Sequence, residues 1–282
     1  VGFPFQYSLK LDCTHVETAV AAGEYAIIRY KVEGYDFKRL EGETATFSFW
    51  VKAVKAGIYC VAFRNNANDK AYIHEYTINS ASTWERKTVT LTFNSGGTFL
   101  YTNGEGLQIV WAIIAGSNFQ VATANKDTWQ AGNYFATDAQ VNGLDNTNNN
   151  FWLTGVQLEL GSVATEFEFR SYQQELAMCQ RYYYQSKVVL NDAQGAFSFI
   201  ADSQTNAIYG SVSFPVTMRI IPAVTVYTYD GTANAVLETT GGNITGVAAD
   251  YPGMGSFGRI SKTGGFIAGN IYYCHYSAVA EL

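Results

Sequence analysis

Alternating apolar and polar positions dominate the first 170 residues of the chain. In FSFWVK (47–52), three apolar residues alternate with Ser48, Trp50 and Lys52, which is typical of a strand with one buried face. The segments IYCVAFR (58–64) and TVTLTF (88–93) show the same period. We therefore predict half-buried strands, and we expect Trp50 to point away from the core.

Two further segments are too apolar for simple alternation. LQIVWAIIAG (107–116) is apolar on both faces, which predicts a central strand covered on both sides. FWLTGVQLELGS (151–162) is interpreted as one alternating strand, and both Trp111 and Trp152 are expected in the core. Seven or more such strands at turn-length spacing favour an antiparallel, jelly-roll-like β-sandwich over residues 1–170.

One helical segment interrupts the β pattern. In SYQQELAMCQRYYYQS (171–186), Tyr172, Leu176, Cys179 and Tyr183 recur at helical spacing, and Ser171 stands at an N-cap position. This predicts a helical connector of about three turns that ends near Tyr184.

Strand-like alternation returns after the connector. In SVSFPVT (211–217), Pro215 predicts an edge strand or a bulge, because proline cannot donate a ladder hydrogen bond. Residues 187–282 are interpreted as a small C-terminal β-domain. The predicted fold class is therefore all-β, with a sandwich, a short helical connector and this second domain.

Charge and composition exclude several kinds of partner. The chain has 18 Lys+Arg against 24 Asp+Glu, a net charge of −6, so no nucleic-acid partner is expected. No apolar run is long enough for a membrane helix, so membrane insertion is not expected. The chain starts directly in strand-like sequence at Val1, and we expect it to be a fragment or a processed product.

The sequence carries no enzyme signature that we recognise. Two carboxylate pairs, Glu41 with Glu43 and Glu166 with Glu168, leave a glycosidase open, although alternate residues of a strand share one solvated face. His74, beside Glu75, is interpreted as a strand residue. We therefore predict a non-enzymatic protein with no catalytic residues.

The four cysteines are far apart and form no CxxC pair: Cys13, Cys60, Cys179 and Cys274. Free, mostly buried thiols are favoured over a disulfide or a metal site. No metal and no cofactor is therefore assigned.

Aromatic residues suggest a binding function. The chain has 20 Tyr, 18 Phe and 5 Trp, and aromatic rings can pack on the apolar faces of sugars while amides meet the hydroxyls. Our glycan-binding candidates are Trp50, Trp84, Trp129 and Tyr134. For Trp50 the alternative is burial under a loop or in a subunit contact, and for Trp84 and Trp129 it is packing within a loop.

Several segments resemble a known family. The segments AAGEYAIIRYKVEGYDFKRLEGETATFSFWVKA, KAGIYCVAFRN, WERKTVTLTF and WQAGNYFAT resemble the carbohydrate-binding-module-like sandwich common in bacteriophage tail-fibre and virion structural proteins. The block GVQLELGS…CQRYYY is the most specific part of a resemblance that spans about residues 7–185. FPVTMRIIPAVTV and the final AVAEL resemble the small C-terminal β-domain of the same proteins.

The resemblance implies a function and a location. It implies a virion protein on the tail fibre or capsid surface, a homotrimer with other virion proteins as partners, and attachment to host-surface polysaccharide. The C-terminal domain would serve oligomerisation or receptor contact, and Gln157 and Glu159 of the QLE pattern would be structural or lie near a groove. The alternatives are a purely structural head or tail projection and, third, a polysaccharide depolymerase.

Overall fold

The computed structural model describes residues 4–93, 96–186, 196–201, 203, 206–239 and 242–282. The chain divides into two compact units, Val1–Phe169 and Arg170–Leu282. Antiparallel strands dominate both units, which confirms the all-β prediction.

The first unit consists of a four-stranded sheet, a five-stranded sheet and a short parallel pair of strands. Its strands are β1 (Leu9–Leu11), β2 (Tyr25–Glu33), β3 (Thr44–Ala53), β4 (Gly57–Arg64), β5 (Lys70–Ile78), β6 (Glu85–Thr92), β7 (Glu105–Ala115), β8 (Gln120–Val121), β9 (Trp129–Ala131), β10 (Ala136–Thr137) and β11 (Phe151–Leu160). A one-turn helix, α1 (Gly34–Phe37), follows β2. One sheet has the order β1-β11-β3-β6 and the other has the order β2-β7-β4-β5-β9, while β8 and β10 form a short parallel pair.

Aromatic and branched side chains from the inner faces of both sheets form one core. The ring centroids of Phe47 and Trp111 lie 5.6 Å apart, and those of Phe49 and Tyr76 lie 5.1 Å apart. Trp111 is only 1% exposed, as expected from its apolar strand. Because β3 turns Phe47 and Phe49 inward, it turns Trp50 outward.

The five-stranded sheet is covered on its outer face as well. Phe119, Val121 and Phe135, from the segment between β7 and β11, pack on small side chains of β4 and β7 such as Ala62 and Ala112. From Gly106 to Ala115, β7 is buried without interruption. This confirms the prediction of a central strand with both sides covered.

A β-bulge in β11 overturns the prediction for Trp152. Thr154 lies opposite Trp50, but the next residue in register, opposite Ser48, is Gln157. Gly155 sits in this bulge with a φ of +58°, a conformation that glycine adopts readily. The extra residue shifts the alternation, so that Trp152 lies on the outer face of the sheet rather than in the core.

The second unit contains one large sheet and one helix. Its elements are α2 (Tyr172–Gln180), β12 (Tyr183–Gln185), β13 (Phe197–Ala201), β14 (Ala207–Ser213), β15 (Ala223–Tyr227), β16 (Ala235–Glu238), β17 (Asn243–Thr245), β18 (Ala248–Asp250), β19 (Ser256–Ser261) and β20 (Ile271–Val279). Strand β20 is its centre, since β12, β13, β15 and β16 all pair with it. Its core is built around Phe199, Phe257, Tyr272 and Tyr276.

Two predictions in this unit are wrong: the end of the helix and the position of the bulge near Pro215. A capping box of Ser171 and Gln174 starts α2 as expected, but the helix ends at Gln180, and Tyr183 pairs with β20 instead. The backbone of Tyr183–Gln185 forms ladder hydrogen bonds that a longer helix would exclude. Strand β14 stops at Ser213, before Pro215 removes a ladder donor, and its bulge lies earlier, between Tyr209 and Val212. Residues 187–195, where the predicted C-terminal domain begins, lie outside the described residues.

Candidate functional site

The outer face of the four-stranded sheet carries a row of alternating aromatic and cationic side chains. Lys52 on β3 lies opposite Trp152 on β11, and Trp152 lies opposite Lys10 on β1. The Lys52 ammonium lies 4.2 Å from the Trp152 ring centroid and 5.1 Å from that of Trp84, which directly precedes β6. The Lys10 ammonium lies 5.6 Å from the Trp152 ring. We name the outer surface formed by Trp50, Trp84, Trp152, Lys10, Lys52 and Arg86 the tryptophan face.

Trp50 forms the next row of this face. It lies between Arg86 on β6 and Thr154 on β11, with which it is in direct cross-strand register. Trp50, Trp84 and Trp152 are all partly exposed, whereas Arg86 is exposed. The structure thus brings two sequence candidates, Trp50 and Trp84, onto one surface and adds Trp152. The bulge was not predicted from the sequence; the signal for it is Gly155, a glycine inside a strand pattern.

Gln157 and Glu159 hold a chain segment against the far end of the same face. Glu159 accepts hydrogen bonds from the Thr165 amide at 2.9 Å and from its hydroxyl at 2.7 Å. The Gln157 side chain accepts from the amide of Glu168 and donates to the carbonyl of Glu166. The QLE pattern therefore has a structural role here.

Hydrogen bonds to Glu159 set its ionisation. Partial burial alone would raise the pKa of this carboxyl, but the hydrogen bonds from Thr165 and Gln157 outweigh it and lower the pKa, with help from the Arg86 charge. Glu159 is therefore ionised at neutral pH. These hydrogen bonds hold residues 165–168 at the end of the tryptophan face.

Trp129 lies apart from the tryptophan face, at the edge of the core. Its indole N–H donates to the carbonyl of Thr92 at 3.0 Å. Its ring contacts Tyr72, Phe93 and Phe99, with centroid separations of 5.6 to 6.2 Å. In this position the ring packs against the core and its polar atom is already hydrogen-bonded.

Tyr134 belongs to the cover of the five-stranded sheet. It is partly buried beside Phe119 and Phe135, whose rings stack with centroids 4.9 Å apart. Beneath them lies Arg64, 2% exposed, with its guanidinium 4.4 Å from the Phe135 ring centroid. Burial lowers the pKa of Arg64 to about 10. This outer sheet face is therefore largely occupied by the chain itself, with Tyr25 half exposed at its edge. The tryptophan face instead brings three partly exposed tryptophans together on one surface.

The carboxylates and the histidine considered for catalysis lie at or near the surface. Glu41, Glu43, Glu166 and Glu168 are all exposed, and Glu41 accepts a hydrogen bond from the Tyr101 hydroxyl. The His74 ring is bonded to Asp127 at 2.6 Å.

The cysteines are free thiols, and only Cys179 is exposed. Burial raises the pKa of Cys60 to about 11 and that of Cys274 to about 12. These two thiols are therefore protonated and unreactive at neutral pH.

Across the described ranges, no group of three or more His, Cys, Asp or Glu side chains is placed to hold a metal ion. Within those same ranges, none of the helices has both the length and the apolar character required to span a bilayer.

Comparison with known proteins gives weak structural likenesses. No protein-family model and no curated protein matches the chain. A solved structure described as "CBM4 structure and function" is 15% identical, with a TM-score of 0.28, over 50% of this chain and 79% of that one. The PBSX exported protein XepA is 9% identical, with a TM-score of 0.22, over 96% of this chain and 86% of that one.

A third likeness is to the N-terminal CBM22-1–CBM22-2 tandem domain of Xyn10C from Paenibacillus barcinonensis. It is 11% identical, with a TM-score of 0.22, over 97% of each chain. The case for a function therefore rests on the side chains of this chain.

Proposed function

We propose that this protein is a non-catalytic glycan-binding protein that contacts sugar through the tryptophan face. The observation that carries the proposal is the row of Trp84, Lys52, Trp152 and Lys10 across the outer sheet face, with Trp50 beside it. Large aromatic rings are mostly buried in proteins, and a contiguous group of partly exposed rings is typical of an interaction surface.

The chemistry of this surface suits a saccharide. Indole rings supply apolar area and an N–H donor, while Thr154, Lys52 and Arg86 supply polar groups around them. Because all of these side chains except that of Trp84 stand on paired strands, little ordering is needed when a ligand binds, which favours affinity.

The biological setting is proposed from the sequence resemblance. We place the protein on a virion surface, as part of a tail fibre or capsid projection that attaches to host-surface polysaccharide. A homotrimer would present three tryptophan faces and gain avidity from weak individual sites. Light scattering tests this directly, and a particle with three times the 31.0 kDa chain mass is expected.

The binding proposal is tested with the full chain on an array of bacterial-surface glycans, followed by titration of the best ligand. We expect Trp50→Ala and Trp152→Ala each to weaken binding about tenfold or more, equivalent to about 1.4 kcal/mol. Tyr35→Ala is the matched control, since it removes a ring that is 59% exposed on α1.

Other outcomes would favour the alternatives. Absence of any glycan binding by the folded chain would refute the proposal and favour a structural projection. Release of reducing sugar from host polysaccharide would instead favour a depolymerase.

A further inference from the structure

We infer that the glycan bound at the tryptophan face is acidic, and that Lys52 contacts its anionic group. This inference rests on the proposed function and names the ligand class. The anionic group is a carboxylate, sulfate or phosphate carried by the sugar chain.

Lys52 is held in place without a carboxylate partner. Its ammonium lies between the indoles of Trp152 and Trp84, at 4.2 and 5.1 Å from their centroids. Five other lysines of this unit pair with an aspartate or glutamate: Lys10, Lys31, Lys55, Lys87 and Lys126. Among the described residues, no Asp or Glu oxygen lies within ion-pair distance of Lys52. Its N–H donors are therefore available to a ligand.

Arg86 adds a second cation on the opposite side of Trp50. Its guanidinium donates to the hydroxyl of Ser48 at 3.3 Å and to the carbonyl of Thr165. Within the described part of the chain it makes no ion pair, although its charge helps to lower the pKa of Glu159. Trp50 is thus flanked by two cations, Lys52 two residues along β3 and Arg86 directly across on β6.

The local charge contrasts with the charge of the whole chain. With a net charge of −6, the protein as a whole repels polyanions, so a preference for acidic glycans has to come from this surface. An ammonium between two indoles is already positioned, and a charge-assisted hydrogen bond to an anion is about twice as strong as a neutral one. The neighbouring ring of Trp50 would contact the sugar that carries the anion.

Pairs of acidic and neutral polysaccharides separate the effect of the anionic group on binding from that of the sugar ring. The probes are polygalacturonate and hyaluronan, each compared with its carboxyl-reduced counterpart, and heparin compared with desulfated heparin. Titration in 50 mM NaCl should show at least one acidic form binding tenfold or more tightly than its neutral counterpart. The difference should shrink at higher salt, because the Debye length falls from about 10 Å at 0.1 M to about 3 Å at 1 M. Whether the carboxylate or the sulfate pair shows the difference identifies the anionic group.

Variants of the full chain test the role of Lys52. Lys52→Met removes the charge but keeps an apolar stem between the indoles, and it should abolish the preference while retaining affinity for the neutral form. Lys52→Arg keeps the positive charge and should retain the preference for the acidic form. Lys70→Met is the matched control, because it changes the net charge equally at another lysine without a described ion pair, on β5, and it should behave like the original chain.

The outcomes separate the inference from the proposed function. Equal binding of acidic and neutral forms, or a preference that survives in Lys52→Met, overturns the inference and leaves glycan binding intact. No binding to these probes or to the glycan array overturns both. Thermal unfolding of each variant verifies that it is folded.

Discussion

Replacement of Gly155 by alanine tests the bulge that places Trp152 on the outer face. Gly155 has a φ of +58°, and a Cβ atom built on it would overlap the ring of Phe5. The Phe5 ring in turn packs against Phe167 and Phe169, with centroids 5.0 and 5.5 Å away. The substitution therefore imposes a backbone strain and displaces an aromatic ring.

The two contributions can be added approximately. A left-handed conformation costs an alanine about 1–2 kcal/mol. Loss of the aromatic contacts of Phe5 costs about 0.5–1.5 kcal/mol for each pair. With two such pairs, we therefore expect Gly155→Ala to lower the free energy of unfolding of the first unit by about 2–5 kcal/mol. Gly42→Ala is the control, since Gly42 has a φ of +75° but no atom near the added methyl group, and it should cost only about 1–2 kcal/mol.

Urea unfolding of the full chain measures these values. All 5 tryptophans lie in the first unit, so tryptophan fluorescence reports on that unit alone. In a Phe5→Ala background the overlap is gone, and the cost of Gly155→Ala should fall to that of Gly42→Ala. If the cost is the same with and without the Phe5 ring, the steric part of this reasoning is wrong.

Three further predictions concern single contacts. Trp129→Phe should lower the free energy of unfolding by about 1 kcal/mol through loss of the bond to Thr92, yet leave glycan binding unchanged; weakened binding would place Trp129 in the site. Ellman's reagent should modify one thiol quickly in the native protein, that of Cys179, and four after denaturation; a second fast thiol would contradict the burial of the others. The pKa of Glu159 is lower in the folded than in the unfolded chain, so the ionised carboxylate stabilises the fold. This stabilisation is present above the unfolded pKa of about 4.3 and is lost as the pH falls through the folded pKa. The hydrogen-exchange protection of the Thr165 amide should fall in the same range in NMR experiments, and an unchanged protection factor at pH 3 would count against the contact.

Local patterns predicted the elements that depend on near neighbours. The period of 2 in β3 was sufficient to place Trp50 on the outer face, because that strand runs without a bulge. The apolar character of β7 predicted a strand covered on both sides. Ser171 predicted the start of α2, since a cap depends on residues three positions apart.

Long-range structure could not be predicted in the same way. The outward position of Trp152 depends on the bulge at Gly155, which lies against the Phe5 ring, about 150 residues away in the sequence. The end of α2 depends on β20, because the backbone of Tyr183 pairs with that strand and so cannot continue the helix. The row of Lys52, Trp152 and Lys10 on the tryptophan face depends on the register between β1, β3 and β11. No single segment of the sequence determines that register.

The cover over the five-stranded sheet has a consequence for how the protein tolerates substitution. Positions such as Ala62 and Ala112 face away from the central core, yet they are fully buried under Phe119 and Phe135, so larger side chains there will disturb folding. The outer face of the four-stranded sheet is covered by residues 165–168 at one end, whereas Trp50, Trp84 and Trp152 remain partly exposed. Substitutions on the tryptophan face should therefore disturb folding less than enlarged side chains beneath this cover.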